Sequence, residues 1–301
     1  MSGPTPRWGI LVGVDGSACS AAAVRWAACE ATMRNIPLTL VHVIAGPVVT
    51  GLPILAIPAT PIQAEFFEQR EEGARQMLSD AIRVAEDSAA GNSSTKVNAE
   101  VFFSAPAATL VEQSKDAEMV VVGSRGQSTW HRALLGWVST ALVHHAHCPV
   151  AVIHDELSSQ RHRPGSSVLL GIDGSPASEL ATAIAFDEAS RRGAELVALH
   201  ACNDGDIRHI PTMEWSAWQS AAEKTLAERL AGWQERYPDV SIRRLIEWEQ
   251  PARHLIDRAQ SAQLVVVGSH GRGGFAGMLL GSVSTAVVHA ADVPVIVARR
   301  R

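Results

Sequence analysis

Ile10-Leu-Val-Gly-Val-Asp15-Gly-Ser17 is the stretch that decides the fold, because its second half occurs twice. Gly13-Val-Asp15-Gly-Ser17 returns 158 residues later as Gly171-Ile-Asp173-Gly-Ser175, and His42 returns at the same offset as His200. Further along the offset falls to 145. Val120-Val-Val-Gly-Ser124 returns as Val265-Val-Val-Gly-Ser269, Leu134-Leu-Gly136 as Leu279-Leu-Gly281, and Pro149 as Pro294. Self-similarity on this scale in a chain of 301 residues means one domain of about 150 residues written twice. The second copy is 13 residues shorter, and the loss lies between His42 and Pro106. The expected units are 1–154 and 167–301, with the polar stretch 155–166 as linker.

Composition narrows the classes. With 47% hydrophobic and 19% charged residues the chain can bury real cores, which excludes general disorder. A net charge of −5 lacks the dense basic face that a nucleic-acid backbone requires. The four cysteines (Cys19, Cys29, Cys148 and Cys202) form no CxxC pair and read as reduced thiols of a cytoplasmic protein. The N-terminal stretch does not read as a signal peptide, since its apolar run Ile10–Val14 is short and meets Asp15. The uncharged run from Val43 to Ala64 holds Pro47, Pro53, Pro58 and Pro61, so it reads as a loop and not a membrane span.

Each copy alternates strand and helix. Ile10–Val14 is a near-continuous apolar run, as in a strand covered on both faces. Ser17 can cap a helix to about Arg34. Further strands are expected at Leu38–Val43, Lys96–Phe103, Met119–Val122 and Val150–Ile153, with helices at Gln63–Ala89, Ala107–Lys115 and Leu134–His147. The second copy repeats the scheme with strands near Val168–Ile172, Leu196–Ala201, Ser241–Ile246, Leu264–Val267 and Val295–Val297. Its long helix carries Trp215, Trp218, Ala222, Leu226, Leu230 and Trp233 as one apolar stripe, read as core. Such alternation yields α/β domains with a parallel sheet and helices on both faces. The apolar fifth strands would be open edges, so they are expected to pair with each other within the chain.

Ligands of such sheets sit beyond the carboxyl ends of the strands. The first strand ends at Asp15, or Asp173 in copy two. The fourth ends in Gly123-Ser-Arg-Gly126, nine residues and Gly136, or Gly268-Ser-His-Gly271, nine residues and Gly281. The last glycine opens a helix whose free N–H groups and dipole favour phosphate. An acid beside an anion cradle suits a nucleotide, with ribose or base at the Asp and phosphates at the glycines.

Strand-Asp-Gly-Ser, Val41-His42-Val43 and the doubled G-x2-G-x9-G motif together resemble the universal stress protein family, of the ATP-binding kind. The likeness covers both copies and is similar to the mycobacterial two-domain members. It implies two tandem adenine-nucleotide alpha-hydrolase-like domains, doubly wound around five-stranded parallel sheets of order 3-2-1-4-5. The implied first pocket holds Gly13, Asp15, the backbone at Val43, Gly123, Gly126, Gly136, Val138 and Ser139. The implied second pocket holds Gly171, Asp173, the backbone at Ala201, Gly268, Gly271, Gly281, Ser282, Val283 and Ser284. Copy one departs from the pattern at Trp137, where a Ser or Thr is expected, so the second pocket is expected to bind ATP more tightly. Arg125, Arg132 and Arg272 lie in or beside the glycine loops and are candidates to meet phosphate charge.

Other constellations are weaker. No GxxxxGK[ST] string occurs, and Gly271-Arg-Gly-Gly-Phe-Ala276 matches a dinucleotide pattern only by letter. His144, His145, His147 and Cys148 offer zinc ligands if three share a helix face, or merely imidazoles at a helix end. His42 and His200 read equally as packed core histidines or ligand contacts. No repeated Ser/His/Asp set and no general base beside the glycines is evident, so any ATP hydrolysis is expected to be slow. The expected role is an ATP-binding, nucleotide-dependent regulator of stress response or growth, with Mg2+ accompanying the phosphates and a homodimer as the assembly. The alternatives are a slow ATP hydrolase or ATP-using transferase, and an interaction scaffold with relic pockets. Neither nucleic acid nor membrane is an expected partner.

Overall fold

A computed structural model describes residues 7–45, 61–89, 95–126, 135–154, 166–202, 215–271 and 279–299. The first copy runs β1 (Ile10–Gly13), α1 (Ala18–Arg34), β2 (Leu38–Ile44), α2 (Pro61–Ser88), β3 (Val97–Phe103), α3 (Pro106–Gln113), β4 (Met119–Gly123), α4 (Trp137–His145) and β5 (Val150–Ile153). The second runs β6 (Ser167–Gly171), α5 (Pro176–Arg192), β7 (Leu196–Cys202), α6 (Trp215–Arg236), β8 (Ile242–Trp248), α7 (Pro251–Ala259), β9 (Ala262–Gly268), α8 (Ser282–Ala290) and β10 (Val295–Ala298).

All ten strands join one sheet of order β3-β2-β1-β4-β5-β10-β9-β6-β7-β8. Each half is parallel and follows the expected order 3-2-1-4-5. The halves meet where β5 and β10 pair antiparallel, Val152 opposite Val295 and Val150 opposite Val297. That pairing removes both apolar edges at once, which is the physical reason these short buried strands find each other. The central strands are buried on both faces, as their unbroken Val/Ile/Leu runs require. Separate apolar cores lie on the two faces of the sheet, and each contains residues from both copies.

Local signals place the helix starts. Ser17 caps α1 by accepting from the Ser20 N–H at 3.1 Å, and Ser175 caps α5 by accepting from the Ser178 N–H at 3.2 Å. Gly16 and Gly174 just before them hold φ of +79° and +77°, a conformation that side chains disfavour. The expected helix Leu134–His147 is shorter than its apolar pattern suggested. Gly136 is extended (φ −64°, ψ 154°) and α4 begins at Trp137. It stops at His145 because Ala146 is extended too, with ψ 153°. In α6 the apolar stripe is core as expected: Leu226 and Leu230 are buried, and Trp233 stacks on Phe186 at 6.0 Å. The side chains of Trp215 and Trp218 lie outside the described set.

The two copies are also locked by charge. Glu30 and Arg34 on α1 match Glu188 and Arg192 on α5, 158 residues on. Arg34 pairs with Glu30 of its own helix at 3.3 Å and with Glu188 across the interface. Arg192 reciprocates, pairing with Glu188 at 3.0 Å and with Glu30 across the interface. Both carboxylates are fully buried and both guanidiniums nearly so. Burial pushes the Glu188 carboxyl up, with Arg34 opposing, and lowers Arg192 to about 10. Arg34 also reaches Asp187 at 3.1 Å and Glu118 at 3.5 Å toward the rim, so the buried charges are each met by more than one opposite partner.

Candidate functional site

The carboxyl ends of β1 and β4 are neighbours at the point where strand order reverses, and the site of copy one opens there. A cavity of about 510 Å³ is lined by Gly13, Asp15, Val43, Gly123, Gly126, Gly136, Val138 and Ser139. All eight residues expected at the first pocket therefore converge on one space. His42, Arg125 and Trp137 line it as well, with Met77 of α2 and Leu110 of α3 as apolar walls.

Asp15 is held rather than loose. Its Oδ1 accepts the Ser17 N–H at 2.9 Å, while a Cβ on Gly126 would sit 2.7 Å from its Oδ2. The acid thus faces the glycine loop directly, and only glycine leaves it room. The Ser17 hydroxyl donates to the Arg125 carbonyl at 3.3 Å, which ties the Asp loop to the glycine loop. The second copy repeats each contact. Asp173 Oδ1 accepts from Ser175 N–H at 2.9 Å, the Ser175 hydroxyl donates to the His270 carbonyl at 3.1 Å, and a Gly271 Cβ would lie 2.6 Å from Asp173 Oδ2.

The glycines have different duties. A Cβ on Gly123 would lie 2.7 Å from the Cys19 carbonyl carbon, and one on Gly268 would lie 2.9 Å from that of Ala177. These two let the helix after the first strand press against the end of the fourth strand. Gly136 and Gly281 serve as N-caps without a side-chain cap bond, and a glycine cap leaves the first-turn N–H groups of α4 and α8 without the side-chain acceptor that a Ser or Asp cap would bring. Their own N–H groups donate back to the carbonyls of Ser124 and Ser269, both at 2.7 Å, which ties each helix start to the residue after the fourth strand. What results is a cradle of backbone donors with a carboxylate opposite.

Contacts within the structure show how several of these residues are held. Ser139, which lines the first cavity, and its counterpart Ser284 donate their buried hydroxyls to the carbonyls of Gly123 and Gly268, at 2.7 and 2.5 Å. These bonds brace the helix against the strand end and engage the hydroxyl proton, while the backbone N–H of each serine lies in the first turn of its helix. His42, which lines the cavity, and His200 also brace the Asp loops: each Nδ1 meets the carbonyl just before the Asp, Val14 or Ile172, at 2.7 Å. Since a carbonyl only accepts, Nδ1 carries the proton. The His144/His145/His147/Cys148 set loses its shared helix face because α4 ends at His145. Among the described residues no three His, Cys, Asp or Glu converge on a metal position.

Trp137 stands at the first position of α4 with 65% of its surface exposed, on the cavity rim. Its counterpart Ser282 is an exposed hydroxyl at the start of α8, followed by Val283. Gly171 ends β6, Ala201 lies in β7, and Gly268 ends β9, so the residues named for the second pocket occupy the equivalent strand ends. Arg132 and Arg272 lie outside the described residues. The helix α8 begins at Ser282, and residues 272–276 of the Gly271–Ala276 string lie outside the described residues. No described helix is long and apolar enough to cross a membrane.

Comparison with known proteins agrees with this geometry. The model of the universal stress protein family matches twice, over residues 9–154 and 166–299. A universal stress protein of Mycobacterium tuberculosis is 52% identical over 303 residues, covering 100% of both chains. A second from the same species is 50% identical over 299 residues, covering 99% of each. Among solved structures, a universal stress protein from Archaeoglobus fulgidus superposes with a TM-score of 0.73 at 21% identity, covering 97% of this chain and 98% of its own. Two tandem matches spanning nearly the whole length, on a sheet with the order just described, place the chain in the universal stress protein family.

Proposed function

We propose that the chain binds ATP at the strand ends of both copies and acts as a nucleotide-dependent regulator of stress response or growth. One observation carries the reading. In each copy a fixed carboxylate stands against a glycine loop that leads into an uncapped helix start. The uncapped N–H groups and the helix dipole suit the phosphates, and the Asp suits a ribose hydroxyl or a base amine. The pocket residues are those named from the sequence, with Ser139 and Ser284 acting through the strand ends they brace. Asp15 is the one carboxylate among the described lining residues, and its Oδ1 is already engaged. A Mg2+ ion would therefore arrive on the phosphates and not on a protein ligand set. The same economy of side chains favours holding ATP over cleaving it, so turnover should be slow.

The working units remain 1–154 and 167–301 with linker 155–166, in a cytoplasmic protein that pairs with a second copy. The deciding measurement is the nucleotide content of freshly purified protein. Stoichiometric ATP, lost stepwise in Asp15→Ala and Asp173→Ala, supports the reading. Protein free of nucleotide, with no thermal shift on adding ATP, overturns it in favour of a scaffold.

A further inference from the structure

The residues just past the two fifth strands, His154 and Arg299, occupy matching places 145 positions apart. Each crosses to the other copy. His154 Nε2 meets the carbonyl of Val288 on α8 at 2.7 Å. Arg299 Nη1 donates to the carbonyl of Val143 on α4 at 2.5 Å, and Val143 and Val288 are themselves counterparts. Arg299 does more. Its Nε donates to the Ala146 carbonyl at 3.0 Å, and Nη1 also reaches the Leu279 carbonyl at 2.9 Å. Ala146 is the C-cap of α4, and Leu279 lies two residues before the N-cap glycine of α8. Among the described residues this guanidinium meets carbonyls only, and no carboxylate pairs with it.

We propose that Arg299 is a positioning residue shared by both pockets, with His154 as its counterpart on the opposite side. The helix α4 carries the uncapped N–H groups of the first pocket at one end. At its other end its orphan carbonyls are gathered by Arg299, where a cation also suits the helix dipole. The same side chain holds the loop that delivers Gly281 to the second pocket. His154 works in the mirrored sense. Its side chain holds α8, while its own carbonyl accepts from the Cys19 thiol at 2.8 Å and the Ser124 hydroxyl at 3.2 Å. Those two groups sit at the start of α1 and in the first glycine loop. Each pocket is thus braced through the opposite copy, so filling one stiffens the other.

The coupling to a ligand rests on the nucleotide reading, but the brace itself does not, and the test separates them. Hydrogen exchange is followed on the full chain for wild type, Arg299→Ala and Arg299→Lys, first without added nucleotide. Loss of charge-assisted hydrogen bonds should speed exchange about tenfold in two separate places, the last turn of α4 and residues 279–285. Lysine keeps the cation and should restore part of the protection. Acceleration in one place only, or in neither, overturns the proposal. Exchange is then repeated with saturating ATP in an Asp173→Ala background, where only the first pocket can fill. Protection should spread to residues 279–285 with Arg299 present and stay away in Arg299→Ala. If protection does not spread with Arg299 present although ATP binds, the coupling fails. If ATP binds neither pocket, the nucleotide reading fails while the ligand-free comparison still decides the brace.

Discussion

Two glycines of one motif, three residues apart, should fail in different ways when replaced by alanine. In Gly123→Ala the new Cβ lies 2.7 Å from the Cys19 carbonyl carbon, 2.8 Å from its Cβ and 2.9 Å from its oxygen. Carbon atoms normally keep about 3.5–4.0 Å apart, so the overlap approaches an ångström and falls mostly on backbone. The first turn of α1 cannot retreat freely. The Ser17 cap and the bond from the Cys19 thiol to His154 hold it. A cost of about 2–3 kcal/mol follows, the upper part of the range for overpacking. In a chain of this size that lowers the melting temperature by about 3–5 °C. In Gly126→Ala the contact is 2.7 Å from Asp15 Oδ2, and the next atom, Asp15 Cγ, is 4.0 Å away. Only the tip of a side chain must move, so stability should fall by less than about 1 kcal/mol. The displaced carboxylate no longer faces the loop, and ATP affinity of the first pocket should fall about tenfold or more, the worth of one hydrogen bond to a charged group. Thermal unfolding and calorimetry in an Asp173→Ala background measure both quantities. Equal melting losses, or unchanged affinity in Gly126→Ala, would refute this division of labour.

Other outcomes follow from the same contacts. Trp137→Ser should tighten ATP binding at the first pocket, measured calorimetrically in the Asp173→Ala background, because it restores a hydroxyl where an exposed indole stands; unchanged or weaker binding counts against a role for the indole. Glu188→Ala removes a fully buried carboxylate that both Arg34 and Arg192 use, leaving them to Glu30 and, for Arg34, to Asp187 and Glu118, and should cost about 3 kcal/mol in denaturant unfolding; a loss under about 1 kcal/mol counts against a role for the cluster in stability. Ser175→Ala removes the cap of α5 and should cost about 1 kcal/mol, with Ser175→Gly losing only a few tenths.

Much of the site was legible from the chain because its signals are local. Asp15 and Gly123 stand at strand ends and Gly136 at a helix start, and such ends are readable from apolar runs and the residues that stop or open them. The braces were not legible. Ser139 reads from the chain only as a pocket residue, and its hydroxyl bond to the Gly123 carbonyl, 16 residues away in sequence, is seen only in the fold. His147 and Cys148 look like zinc ligands until the helix stops short of them, for Ala146 turns extended and Pro149 lies just ahead. The Glu30/Arg34 and Glu188/Arg192 repeat could have been found by applying the offset of 158 to charged residues as well as glycines.

The sequence by itself determined that one α/β domain occurs twice, that the fifth strands need each other, and where an acid and a glycine loop stand. Periodicity, turn chemistry and self-similarity act over a few residues, so they survive in the one-dimensional record. Only the tertiary structure decided which glycine serves packing and which serves the cavity, and that Arg34 meets Glu188 across 154 residues. It alone brings Arg299 onto Val143 across 156. Those pairings arise when antiparallel β5 and β10 set one copy against the other, and no local pattern encodes which side chains then face each other.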